Sequence, residues 1–106
     1  MERDFSMTGV YGPTMRVAST DTATAFPSAA IVDGDGNPSV SVLITCETAS
    51  IRIAWKETPT QGASGIGHIM SDGDAFRVVG RDNILNFRYI SAASGVPGAF
   101  VITPEF

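Results

Sequence analysis

The sequence is poor in the groups that most protein chemistry requires. Lys56 is the only lysine, and the six arginines are scattered along the chain, against eleven Asp and Glu; the formal net charge is −4. A nucleic-acid-binding domain concentrates basic residues on one face or stripe. That footprint is missing, so no nucleic-acid partner is expected. Cys46 stands alone, which excludes an internal disulfide, and it lies in a strand-like run where it reads as a small buried hydrophobe. His68 is the only histidine, and a transition-metal site needs further His or Cys ligands, so neither metal nor cofactor is expected. No apolar run approaches the about 20 residues of a membrane span. Met1-Glu2-Arg3-Asp4 has neither the basic nor the apolar region of a signal peptide, so the chain is expected to be made in a cytoplasm and not exported by the usual route. Charged residues amount to 17%, below the usual share of about 25%. Two readings account for this: a Ser/Thr-rich polar surface, or a surface partly covered in an assembly.

What is present is a series of short alternating runs separated by turn residues. The 106 residues fit a single domain. Met15–Ser19, Thr22–Phe26, Val40–Cys46, Ile51–Lys56, Ala75–Val79, Ile84–Ile90 and Ala99–Thr103 are rich in β-branched and aromatic residues. Most of them alternate with period two, the strand signature. Ile51, Ile53 and Trp55 fall on one face, as do Phe87 and Tyr89. Asp33-Gly34-Asp35-Gly36-Asn37-Pro38, the segment from Thr58 to Gly65, and Ser71-Asp72-Gly73-Asp74 are turn clusters. No window carries three turns of helical periodicity. The pattern predicts an all-β domain over 14–106, a small β-sandwich or jelly roll of about seven to eight short antiparallel strands. Residues 1–13, with Gly9, Gly12 and Pro13, read as an N-terminal arm or loop. Two hairpins are expected, Val40–Cys46 with Ile51–Lys56 and Ala75–Val79 with Ile84–Ile90, each closed by four residues.

The motifs that hint at chemistry fail on inspection. Asp33-Gly34-Asp35-Gly36-Asn37 opens like a calcium loop, but the sixth and twelfth positions are Pro38 and Ile44 where glycine and a bidentate Glu are needed; it reads as a hairpin turn. Gly62-Ala63-Ser64-Gly65-Ile66-Gly67 matches neither a nucleophile elbow nor a dinucleotide fingerprint, because Ile66 and Met70 occupy required glycine positions. His68 has no local serine and carboxylate pattern around it, and is expected to be packed or hydrogen-bonded. Asp72, Asp74 and Asp82 lie in turns, where aspartate serves the backbone. No catalytic residue is assigned, and the chain is expected not to be an enzyme.

Residues 51–106 resemble small virion structural proteins of tailed bacteriophages. The resemblance rests on Ile51-Arg52-Ile53-Ala54-Trp55, the Thr58-Pro59-Thr60 loop, Gly67-His68-Ile69-Met70 leading into Gly73-Asp74, and Gly80-Arg81-Asp82-Asn83-Ile84. Asn86-Phe87-Arg88-Tyr89-Ile90 and the closing Ala99 to Phe106 complete it. It implies a β-sandwich or jelly-roll accessory protein of the particle, a capsid decoration (cement) protein that binds and stabilises the assembled head. Fibre, tail, or receptor- or carbohydrate-binding modules are the alternative. The implied partners are the major capsid protein or other virion proteins and further copies of the chain, as a trimer or dimer; the implied location is the virion. Within that reading the expected partner contacts are Phe5, Met7, Val10, Tyr11 and Pro13 of the arm, Pro59 and Ile66 of the long loop, and Phe106.

Overall fold

The computed structural model describes residues 10–106 as two antiparallel sheets packed on one core. The elements in chain order are β1 (Met15–Ala18), α1 (Ser28–Ile31), β2 (Ser41–Glu47), β3 (Ile51–Trp55), β4 (His68–Met70), β5 (Ala75–Val79), α2 (Arg81–Asn86), β6 (Phe87–Ser91) and β7 (Ala99–Glu105). The larger sheet has the order β1-β7-β2-β5, the smaller β4-β3-β6. The expected small all-β fold is the fold observed.

Alternation explains which side chains fill the space between the sheets. Val42, Ile44 and Cys46 of β2 and Phe100 and Ile102 of β7 are wholly buried, and they meet Ile51, Ile53, Met70, Phe87 and Tyr89 from the other sheet. Aromatic rings knit the centre. Phe87 stacks on Phe26 at 4.3 Å and takes Trp55 edge-on at 5.6 Å, while Tyr89 meets Phe100 edge-on at 5.2 Å. Trp55 is partly buried and packs against this cluster, on the face the alternation of β3 assigns to it.

Neither expected hairpin forms. β2 and β3 belong to different sheets, and so do β5 and β6. The four residues after β2 carry the chain across the sandwich: Thr48 takes a left-handed φ of 77° and the Ala49 N–H closes back on the Glu47 carbonyl at 3.0 Å. After β5, Gly80 at φ 99° turns the chain into α2, so the expected strand Ile84–Ile90 starts as helix and becomes strand only at Phe87. Ile84 and Phe87, three residues apart, are both fully buried. That is helical spacing, inside an apolar run that local alternation assigns to a strand. β3 stops at Trp55 because Lys56 adopts φ 60°. The true neighbours are distant in sequence: β2 lies between β5 and β7, and β3 pairs with β6.

The expected strand Thr22–Phe26 is reduced to a bridge. Thr24 exchanges two hydrogen bonds of 2.9 Å with Tyr89, and Ser91 donates to Thr20 at 2.9 Å. The segment thereby covers the outer edge of β6, a device that blunts edge-to-edge pairing. Pro27 ends it, and α1 follows as a single turn absent from the sequence reading.

Candidate functional site

The end of β7 and Phe106 after it organise one wall of a concave surface. Phe106 donates to the Val10 carbonyl at 2.7 Å, Val10 returns a bond to Phe106 at 3.1 Å, and Gly12 donates to Pro104 at 2.8 Å. Pro104, with no N–H of its own, serves here as an acceptor. Residues 10–12 thus extend the sheet beyond β1. Gly12 lets the two segments approach closely: a Cβ there would lie 2.5 Å from Phe106 Cε2 and 2.8 Å from Pro104 Cγ, so those side chains would have to shift.

Opposite this strip stand Ala29 and Val32, from α1 and its end, and the loop from Asp33 to Asn37. Val32 and Pro38 bridge across the base of that loop. The Asp33 carboxylate accepts from the backbone N–H groups of Asp35 at 2.9 Å and Asn37 at 2.8 Å, and from the Asn37 side chain at 3.2 Å. The Asn37 backbone N–H leads the contacts that hold this carboxyl below its ordinary pKa. The stretch that opens like a calcium loop is therefore a self-closed turn, as its mismatches indicated. Between the two walls lies a groove of about 440 Å³. Among the described residues that line it, Asp33 carries the only charged side chain.

Four of the expected contacts, Val10, Tyr11, Pro13 and Phe106, come together along one wall of this groove. Val10 and Tyr11 are 73% and 56% exposed. Ile66 is also exposed but lies on the loop after β3, away from the groove. Pro59 is corrected: its side chain is less than 2% exposed and belongs to the interior. Phe5 and Met7 fall outside the described residues. The facing wall was missed. Its signal was the turn cluster itself, followed by a proline, but a turn cluster says nothing about which other segment it faces.

Several of the remaining polar groups are engaged locally. Arg52 donates from both terminal nitrogens, to Gly67 at 2.8 Å and Gly62 at 3.0 Å. The loop's N–H groups also turn inward, Gly65 onto Gly62 at 3.1 Å and Ile66 onto the Thr60 hydroxyl at 2.7 Å. It is a folded loop and offers no cradle for phosphate at those positions. His68, expected to be packed or hydrogen-bonded, is exposed on β4, its ring 6.5 Å from Trp55. Ser19 and Ser91 form a buried pair at 2.7 Å, with Gly98 donating to the Ser19 hydroxyl at 2.8 Å. Asp74 accepts the Ser71 N–H at 2.9 Å. The Cys46 thiol is pushed up to about 11, chiefly by burial and then by the nearby Asp74 and Asp72 carboxylates. Among the described residues, no group of three or more His, Cys, Asp or Glu side chains is placed to hold a metal ion, and no helix is long and apolar enough to cross a membrane. A second, shallower concavity of about 430 Å³ includes Trp55, Phe76, Arg77, Val79 and Asn83.

Comparison of the chain with known protein families, with curated protein sequences and with solved structures returns no match.

Proposed function

We propose that the chain is a non-enzymatic structural protein of a bacteriophage particle, a capsid decoration (cement) protein that binds the major capsid protein on the assembled head. The particle assignment comes from the resemblance of residues 51–106. The observation that supports a docking role is the groove: Val10, Tyr11, Pro13 and Phe106 form one apolar wall of it. Exposed aromatic and aliphatic side chains beside a concavity are typical anchors in protein–protein contacts. Binding only to the assembled shell stabilises it by mass action, and a closed dimer or trimer would multiply the contacts.

A second reading, a fibre, tail or receptor-binding module that holds a carbohydrate, draws on the concavity at Trp55. There, aromatic rings adjoin Arg77 and Asn83, a combination that stacks on and hydrogen-bonds to sugars. Quantitative mass spectrometry of purified particles from the source culture separates the two. A copy number close to that of the major capsid protein is the expected result; a few copies per particle favour the fibre or tail reading. Absence from the particle refutes both.

A further inference from the structure

We infer that the groove beside Phe106 binds a short segment of a partner protein in which a large apolar side chain is flanked by a lysine or arginine. This inference rests on the docking role proposed above and names the chemistry of that partner. The apolar part follows from the walls: Val10, Tyr11 and Phe106 on one side, Ala29 and Val32 on the other. Burying a large side chain between them removes apolar surface on both partners from water.

The basic part follows from charge. Asp33 lies on the rim, and its carboxylate is fixed by three hydrogen bonds from its own loop. Those bonds favour the ionised form, so the charge is present at neutral pH. Exposed Asp35 stands two residues further on, and no lysine or arginine lines the groove among the described residues. A fixed anionic rim over an apolar floor selects a cationic flank by complementarity and rejects an acidic one.

The same charge argues against a second copy of this chain as the occupant. A symmetric contact through this groove would set two such acidic loops against each other, and the chain carries a net charge of −4.

The experiment is a titration of the full ¹⁵N-labelled chain, followed by amide shifts, with two blocked peptides. One is acetyl-Ser-Phe-Lys-Ser-amide and the other has Glu in place of Lys. Shifts confined to Tyr11, Gly12, Gly34, Asn37 and Phe106 are expected. The lysine peptide should bind about three- to fivefold more tightly at low salt, and the difference should fade in 0.5 M NaCl. Asp33→Asn keeps the oxygen that accepts the turn's N–H groups but removes the charge, so it should leave the fold intact and bring the ratio close to one.

Equal affinity for the two peptides overturns the inference, as do shifts centred on Trp55 and Phe76. Groove shifts that grow with protein concentration alone would assign the site to a second copy. Nuclear Overhauser contacts from residues 1–9 to Gly34 or Asn37 in the full chain, without peptide, would assign it to the chain's own N-terminal segment. Either result overturns the inference too. Particle copy number reads the proposed function and peptide selectivity reads the groove, so each can fail without the other.

Discussion

The Phe26–Phe87 ring pair should behave as a fastener that couples the segment covering β6 to the core. The two rings stack at 4.3 Å and within 6° of parallel, and their residues are 3% and 0% exposed. Replacing either by leucine keeps an apolar side chain but removes the ring face. Each single change should cost about 1–3 kcal/mol, below the ~3–5 kcal/mol of truncation to alanine. The double variant should be less destabilised than the sum by about 0.5–1.5 kcal/mol, the share that belongs to ring–ring contact beyond buried area. Urea unfolding gives these values, with far-UV circular dichroism beside Trp55 fluorescence because Trp55 itself touches Phe87. Phe26→Leu should also speed hydrogen exchange at Thr24 and Tyr89, whose mutual backbone bonds hold the segment down. Additivity within about 0.3 kcal/mol would refute the ring–ring coupling.

Three further outcomes are expected. The folded Cys46 thiol titrates at about 11 against an ordinary value of 9.0, so the folded chain keeps a proton that the unfolded chain releases. Its contribution to stability is full below pH 9 and is lost as the pH rises towards 11, by up to ~3 kcal/mol. Cys46→Ala should flatten the fall in urea midpoint between pH 8 and pH 10.5, and an unchanged fall would assign it to other groups. Arg52→Lys should free the loop from Thr60 to Gly67, because an ammonium does not reproduce the forked bonds to Gly62 and Gly67. The loss should be about 1–3 kcal/mol, with faster amide exchange confined to that loop; unaltered exchange there would refute the clamp. Gly98→Ala would set a Cβ 2.3 Å from the Ala49 carbonyl oxygen and 2.9 Å from Ile51 Cγ1. It should cost about 3 kcal/mol or more, and a melting temperature within a degree or two of the parent would show that the crossing yields.

Much of the strand content was legible because alternation is a local property. β1, β3, β5 and the start of β7 fall within a residue or two of their runs, and the inward faces of β2 and β3 follow from Val42, Ile44, Ile51 and Ile53. Pairing was not legible. A four-residue link suits a hairpin and equally suits a step from one sheet to the next, and the φ of Thr48 that decides between them has no mark in the residue type. α2 was hidden for a related reason: Ile84 and Phe87 satisfy helical spacing and also sit inside an apolar run that looks like strand. Val10, Tyr11, Pro13 and Phe106 were marked by apolar side chains near the ends of the sequence, but nothing local says that they line one groove. Pro59 was misplaced because a proline in a loop reads as surface, whereas here it is buried. The facing wall depends on tertiary packing of a turn that looks self-sufficient.

The place of β7 also governs when the larger sheet can exist during synthesis. β7 is the last strand of the described chain, yet it lies between β1 and β2 and holds registers with Met15–Ala18 and Ser41–Glu47 at once. Until Ala99–Glu105 has left the ribosome, β1 has no partner and β2 has only β5. Both pairings span about half of the sequence or more, so their loop-closure entropy must be met late and together. Nascent chains stalled before residue 99 should therefore present an unfinished sheet to chaperones and proteases.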